Sequence, residues 1–221
     1  MGEKNLLSGD QIAELGLTDW RPILGWLIGR FRTGDFATGL TMVNRIGQAA
    51  EELNHHPDLD LRYGHLEVVL TSHDAGGKTE RDVAMARRIS EIAADLGLES
   101  APESATRVEW GMDTWDDAEI KPFWDAVLGL EEHPRAAKDE VVDPDGVLPT
   151  IWFQDADRHD VPRQRWHPDV WVPTEVVSQR IEAAVAVGGT VVDDGESPTF
   201  VVLADPQGNR VCLCTHVGRS H

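Results

Sequence analysis

Two long stretches of this sequence place apolar residues three or four positions apart, the spacing of one face of an α-helix. The first begins at Asp35, and its stripe consists of Phe36, Leu40, Val43, Ile46, Gly47, Ala50 and Leu53. The second begins at Thr79, stops at Gly97 and carries Val83, Ala86, Ile89, Ile92, Ala93 and Leu96. Because an amphipathic helix must bury its apolar stripe against another element, the first hundred residues have to supply a partner surface.

Two shorter runs can supply that surface. Residues 25–33 and residues 66–72 are rich in β-branched, aromatic and other apolar side chains, which is typical of β-strands. One run precedes the first helix, and the other lies between the two helices. The order predicts an α+β unit in which a short antiparallel sheet is covered by helices.

The pattern changes near residue 100. Residues 98–107 combine small residues with a proline and show no periodicity, as expected of a linker. Beyond it, residues 108–129 and 167–188 both run from a strand-like to a helix-like segment, and strand-like pieces follow each. We therefore predict two units, residues 1–100 and residues 101–221, the second built from two strand–helix–strands modules in tandem.

Charge and cysteine content narrow the class of protein. A net charge of −19 disfavours binding to nucleic-acid phosphates or anionic membranes, and no apolar run approaches the roughly 20 residues that span a bilayer. The two cysteines, Cys212 and Cys214, are too few for a disulfide framework. We expect a cytoplasmic protein with no nucleic-acid or membrane partner.

Four of the nine histidines lie close together in the first unit, namely His55, His56, His65 and His73. A metal site is one interpretation, but adjacent side chains such as His55 and His56 rarely point at one ion. Imidazoles titrate near neutrality, so acid–base chemistry is the better functional interpretation. The structural alternatives are that His-His-Pro merely ends a helix and that His65 faces solvent.

The neighbours of these histidines also have two interpretations. Asp82 stands three residues after Thr79, which is the spacing of a helix-capping box. Glu51 stands in the last turn of the first predicted helix, where a solvated carboxylate is common. The residues alone leave catalysis and structure about equally supported.

The spacing resembles the signature of the pterin-4a-carbinolamine dehydratases. Its anchors are an acidic or basic residue, His-His-Pro, an aromatic residue, a further histidine and an aspartate. Here they are Glu51, His55-His56-Pro57, Tyr63, His73 and Asp82. The similarity covers about residues 15–95, nearly the whole first unit.

The resemblance implies an activity and a set of roles. The family removes water from a 4a-hydroxylated pterin to give a quinonoid dihydropterin, without a metal or organic cofactor. The resemblance also implies that the protein takes a small-molecule pterin substrate and forms homo-oligomers. His55 and His73 would form the acid–base pair, while His56 would hold the pterin and assist. The orienting residues would be Glu51 and Asp82, and further substrate contacts would come from Tyr63, Ser72 and Asp74.

One departure from the family stands near the expected pocket. Many members carry an aromatic pair close after His-His-Pro, whereas this chain has Leu59-Asp60. The change removes stacking surface for a pterin and adds a charge, so it bears on pterin affinity.

The second unit resembles the glyoxalase class of vicinal oxygen chelate domains, with tandem βαβββ modules. The resemblance covers roughly residues 106–216 and rests on segments such as "FWDAVLGLEE" and "VVLADPQGNRVCLC". Metal enzymes of this class take ligands from the first and last strands of each module. The 58-residue offset between modules makes Glu109, Gln154, His167 and Cys212 the corresponding positions.

That set is chemically mixed for a divalent ion, so we expect no catalytic metal there. Cys212 and Cys214 alternate on one strand and are typical core residues. We expect the second unit to bind a small molecule that the sequence does not identify. The rival hypotheses are a metal-dependent lyase or dioxygenase centred on this unit, and a protein that only binds a metabolite or a partner.

Overall fold

The structure is a computed structural model, and it describes residues 5–105, 107, 109–130, 139–143, 145–158, 167–172, 176–215 and 217. The chain divides into two compact units, Met1–Arg107 and Val108–His221. The boundary therefore lies between Arg107 and Val108, at the C-terminal end of the predicted linker and seven residues beyond the predicted boundary. None of the helices in the described ranges is long and apolar enough to cross a membrane.

The first unit is an antiparallel sheet with three helices. Its helices are α1 (Gly9–Glu14), α2 (Phe36–Leu53) and α3 (Glu80–Asp95). Its strands are β1 (Trp20–Ile23), β2 (Trp26–Arg32), β3 (Asp58–Arg62), β4 (His65–Leu70) and the short β5 (Glu99–Ser100). The strand order is β1-β2-β4-β3, and β5 also pairs with β2. The predicted α+β class is confirmed, with the two predicted strands appearing as β2 and β4.

The core of this unit lies between the sheet and the two long helices. Leu66, Val68 and Leu70 of β4 are fully buried, as are Met42 and Ile46 of α2. These residues follow the two sequence periods, every second residue on the strand and every third or fourth on the helix. The stripe predicted for α3 is buried, but the stripe predicted for α2 is only partly correct. Phe36, Leu40 and Leu53 are exposed, because the face of α2 that meets the sheet is centred on Met42, Ile46 and Ala49 instead.

The ends of the two long helices are fixed by specific caps. The Asp35 carboxylate accepts a hydrogen bond from the Thr38 amide at 2.7 Å and begins α2. Asn54 ends it in the left-handed conformation, with φ of 47°. At α3, Thr79 and Asp82 form the predicted capping box. The Asn54 cap directly precedes His55, and the Thr79 capping box includes Asp82, so helix capping and site geometry are linked at these two caps.

The second unit contains two small sheets with one helix each. The first sheet joins β6 (Trp110–Thr114), β8 (Ile151–Asp155) and β7 (Glu140–Val141), and its helix is α4 (Asp117–Leu128). The second sheet has the order β10-β11-β12-β9, and its helix is α5 (Val177–Ala186). Its strands are β9 (Asp169–Trp171), β10 (Thr190–Asp193), β11 (Phe200–Ala204) and β12 (Arg210–Cys214).

The two modules share one topological feature. In each, the first strand pairs in parallel with the last strand, β6 with β8 and β9 with β12. Within the described residues the second module shows the complete βαβββ pattern, and the first shows three strands. The two modules share one apolar core that contains Phe123 and Trp124 of α4 and Leu203 of β11.

Candidate active site

The candidate site of the first unit is built at two chain reversals. His55 and His56 directly follow the left-handed Asn54 at the end of α2. Ser72, His73 and Asp74 lie in the segment between β4 and the start of α3, where Ser72 bridges to Gly77. The His55 amide donates to the Ala50 carbonyl at 3.1 Å, so this residue turns back toward the helix instead of running into solvent.

His55 and Asp82 form a buried pair. The Nε2 atom of His55 lies 2.8 Å from Oδ1 of Asp82. His55 is 7% exposed and Asp82 is fully buried. Since an ionised carboxylate only accepts hydrogen bonds, Nε2 carries the proton and Nδ1 of the neutral ring is the acceptor. Within the described residues, the ring of His55 makes no second hydrogen bond.

The other oxygen of Asp82 is held by the cap of α3. Oδ2 accepts from the Ser72 hydroxyl at 2.7 Å and from the Thr79 amide at 2.7 Å. Burial raises the pKa of the Asp82 carboxyl, but the hydrogen bonds from His55, Thr79 and Ser72 outweigh it and hold the pKa below its ordinary value. The carboxylate is therefore both ionised and fixed in orientation beneath His55.

His56 belongs to a second, exposed pair. Its Nε2 atom lies 3.0 Å from Oε1 of Glu51, which is in the last turn of α2. The two side chains are 59% and 80% exposed. The structure thus joins Glu51 to His56 and Asp82 to His55, and the two histidines have very different surroundings.

Except for Ser72, the remaining predicted site residues are more exposed than His55 and Asp82. His73 is exposed and makes no hydrogen bond among the described residues, and Tyr63 in the β3–β4 turn is 76% exposed. Asp74 pairs with Arg81 at the start of α3. Ser72 was predicted to contact substrate, but it is 1% exposed and its hydroxyl is engaged with Asp82 and Thr79. Its observed contacts are internal.

The structure also locates His65, Leu59 and Asp60, which do not belong to the family signature. His65 was predicted to face solvent, yet it is half-buried, and its Nε2 atom lies 2.8 Å from a guanidinium nitrogen of Arg30. Leu59 packs against the core from β3, and Asp60 pairs with Arg62 at 2.7 Å. The charge of Asp60 is therefore balanced within its own strand.

Sequence reasoning missed one buried charge near the site. Lys78 is 9% exposed and immediately precedes the cap residue Thr79. Burial lowers the pKa of the Lys78 ammonium, and the Asp82 carboxylate partly opposes that effect. A lysine before a helix cap usually lies at the surface, so neither its spacing nor its residue type indicated burial.

In the second unit, two of the four positions considered for a metal come together. His167 and Cys212 form a cluster with Asp169, a residue absent from the predicted set. Glu109 is exposed just before β6, and Gln154 is exposed on β8. Within the described part of the chain, Glu109 belongs to no group of three His, Cys, Asp or Glu side chains close enough to hold a metal ion.

Comparison with known proteins assigns each unit to a family. Residues 5–92 match the family model for pterin 4 alpha carbinolamine dehydratase, and residues 109–214 match that for a glyoxalase-like domain. A curated relative from Thermomicrobium roseum, whose name places it among the pterin-4-alpha-carbinolamine dehydratases, is 41% identical over 33% of this chain and 84% of its own length. A relative from Mycolicibacterium smegmatis with the same name is 39% identical over 41% of this chain and 98% of its own.

A solved structure from Brucella melitensis is similar to the same unit. It is described as a transcriptional coactivator/pterin dehydratase and is 30% identical. The similarity covers 40% of this chain and 99% of that protein, with a TM-score of 0.39. Through its first unit, the chain belongs to the pterin-4a-carbinolamine dehydratase family, and its second unit is a glyoxalase-like domain.

Proposed function

We propose that the first unit dehydrates a 4a-hydroxytetrahydropterin to the quinonoid dihydropterin by histidine acid–base catalysis. The observation that carries the proposal is the buried hydrogen bond of 2.8 Å between His55 and Asp82. A carboxylate behind an imidazole fixes the tautomer of the ring, so that Nε2 carries the proton and Nδ1 is left as the acceptor. This pair is therefore suited to take up a proton.

The reaction requires two proton movements and no change in oxidation state. The bond between C4a and the hydroxyl oxygen breaks as that oxygen gains a proton and leaves as water. A ring nitrogen loses its proton, and its electron pair forms the new double bond to C4a. We assign removal of the ring proton to His55 and protonation of the departing hydroxyl to His73.

The remaining residues are assigned supporting roles. Asp82 positions His55, and Ser72 and Thr79 position Asp82. His56, paired with Glu51 at the surface, contacts the pterin, and Asp74, next to His73, is a further candidate contact. Tyr63 lies in the β3–β4 turn at the opposite end of β4 from Asp74, so it is given no role in this site. For the second unit we propose the binding of a separate small molecule, supported by its match to the glyoxalase-like family model.

The proposal is tested by measuring the rate of carbinolamine dehydration with the full-length protein. Replacing His55 or His73 by alanine is expected to lower kcat/KM by about a hundredfold, the usual contribution of one general acid or base. His65→Ala is the matched control, because His65 is a histidine of the same unit outside the proposed set. If the wild-type protein does not accelerate the reaction, the proposed activity is wrong.

A further inference from the structure

One buried cation of the first unit has no direct partner for its charge. Lys78 is 9% exposed, and within the described part of the chain its ammonium makes no hydrogen bond or ion pair. The roles assigned above for the dehydration do not use it. Because an unpaired buried charge costs folding free energy, groups of this kind are concentrated at functional sites.

The backbone of Lys78 is held in place by its neighbours. Its carbonyl oxygen accepts a hydrogen bond of 2.7 Å from the Leu7 amide. The preceding residue, Gly77, pairs with Ser72 in an isolated bridge, and the following residue, Thr79, begins the capping box of α3. The lysine side chain therefore starts from a fixed backbone at the edge of the candidate site.

The charge of Lys78 acts on Asp82. The amide of Thr79, the next residue, donates to Oδ2 of Asp82 at 2.7 Å, so the lysine lies beside the cap that holds this carboxylate. Attraction to Asp82 opposes the lowering of the Lys78 pKa by burial. Since the ordinary lysine pKa of 10.5 lies far above neutrality, the ammonium keeps its proton at neutral pH.

The other charged groups around His55 differ from Lys78 in their exposure. Those on the adjoining segments are Glu51, Glu52 and His56 at the end of α2, Asp58 at the start of β3, His73 and Asp74 before α3, and Glu80 and Arg81 in its first turn. All of these are exposed except Arg81, which is half-buried and pairs with Asp74. On these segments, Lys78 and Asp82 are therefore the two buried charges.

The three buried groups carry no net charge before the reaction. His55 is neutral, Asp82 carries −1 and Lys78 carries +1. Uptake of a proton by His55 raises the total to +1, whereas without Lys78 the same step would go from −1 to zero and would be easier. Lys78 therefore opposes protonation of His55 from solvent, and the imidazole keeps its free Nδ1 acceptor to a lower pH.

We propose that Lys78 is a positioning residue for the dehydration: its ammonium acts, together with Asp82, on His55 and keeps that imidazole neutral and able to accept the pterin ring proton. The inference rests on the proposed function in naming that proton. The electrostatic link between Lys78 and His55 belongs to the folded protein and is measurable without substrate.

The test follows the histidine rings of the full-length protein by NMR during a pH titration, alongside the pH profile of kcat/KM for dehydration. Lys78→Met removes the charge and keeps an unbranched side chain of similar length. We expect the His55 titration midpoint and the acidic limb of kcat/KM both to move to higher pH, by about half a unit or more. Loss of one signal in His55→Gln assigns the His55 ring.

Three further variants separate the charge from packing. Lys78→Arg retains the charge and should keep the wild-type midpoint, while Lys78→Gln is uncharged and should repeat the shift of Lys78→Met. Arg88→Met is the matched control, because it removes an exposed cation of α3 that pairs with Glu91 and changes the net charge equally. It should leave the His55 midpoint and the kcat/KM profile unchanged.

The outcomes distinguish this inference from the proposed function. An unchanged His55 midpoint in the folded, uncharged variants, or an equal shift in Arg88→Met, overturns the role of Lys78. So does a shifted midpoint in an active enzyme whose kcat/KM profile does not move. A wild-type protein without dehydratase activity overturns the proposed function instead, and the NMR midpoints then still decide whether Lys78 acts on His55.

Discussion

Each unit of this protein buries an aspartate, Asp82 in the first turn of α3 and Asp205 between β11 and β12, and the pKa values of the two carboxyls shift in opposite directions. Asp82 is fully buried and Asp205 is 3% exposed. Asp82 faces the imidazole of His55 at 2.8 Å, in addition to its cap donors. Asp205 accepts from Trp124 at 3.2 Å and from the amides of Gln207 and Asn209 at 2.9 and 2.8 Å. Its side-chain partners in this network do not titrate.

The difference in partners is reflected in the two pKa values. Burial raises the pKa of Asp205 above its ordinary value, and the hydrogen bonds from Asn209, Trp124 and Gln207 only partly oppose it. For Asp82 the balance goes the other way, and the pKa is lowered. A buried acid with an imidazole partner can couple to a proton transfer, whereas one surrounded by neutral donors fixes a turn. This contrast separates a candidate catalytic group from a structural one.

The largest expected effect comes from removing Asp82. Asp82→Ala leaves His55, Ser72 and Thr79 without their common partner, so we expect the first unit to lose about 3 kcal/mol of unfolding free energy. Dehydratase kcat/KM should fall by about a hundredfold, because His55 loses its orientation. Denaturant unfolding monitored with domain-specific probes, together with the dehydration assay, measures both. Retention of full activity would show that the pair has no catalytic role.

Removing Asp205 should affect stability alone. Asp205→Ala leaves the Trp124 indole and the Asn209 side chain without an acceptor, and we expect a loss of about 2 kcal/mol in the second unit. The dehydration rate per folded molecule should stay at the wild-type value. A fall in that rate would contradict the distinction between the two aspartates.

The pH dependence of stability should differ in sign between the two carboxyls. Because the pKa of Asp82 is lower in the folded state, its contribution is complete above the ordinary value of 3.8 and is lost as the pH falls through the folded value. The pKa of Asp205 is raised, so its contribution is present below 3.8 and is lost as the pH rises through the folded value.

The opposite pH dependence of the two stability contributions is measured by comparing variants with wild type. Unfolding free energies between pH 3 and pH 6 for wild type, Asp82→Asn and Asp205→Asn give each contribution by subtraction. The effect should amount to about 1.4 kcal/mol for each unit by which the folded and unfolded pKa values differ. Equal signs for the two aspartates would disprove the proposed contrast.

The smallest effect on stability should come from the exposed pair. His56→Ala removes a contact between two side chains that are mostly exposed, so unfolding should be unchanged within error. If His56 contacts the pterin, the variant should raise KM several-fold with a smaller change in kcat. Steady-state kinetics distinguish this result from a loss confined to kcat, which would assign His56 to proton transfer.

The sequence was sufficient for the parts of the first unit that depend on local patterns. Helical and strand periods located α2, α3, β2 and β4, and the Thr79–Asp82 spacing correctly predicted a capping box. The family signature singled out both His55 and Asp82. Their contact across 27 positions could be suspected from the signature, but its distance and burial depend on how α2 and α3 pack.

Tertiary packing determined the features that were missed. The donors to Asp205 include Trp124, which is 81 positions away, and no local motif connects them. The partial burial of His65 depends on Arg30 in the neighbouring strand. Asp169 joined His167 and Cys212 because of the register between β9 and β12. Strand register is a nonlocal property, so single-chain spacing did not reveal that cluster.

In the proposed reaction Asp82 acts on catalysis through His55, and a double-mutant cycle on dehydration kcat/KM measures that coupling. The cycle compares wild type, His55→Gln, Asp82→Asn and the double variant, each confirmed to be folded. We predict that both single changes lower kcat/KM and that the double variant loses little more than His55→Gln alone. Two results would contradict this coupling. One is a double variant whose loss of kcat/KM equals the product of the two single losses, and the other is a His55→Gln variant with the same kcat/KM as wild type.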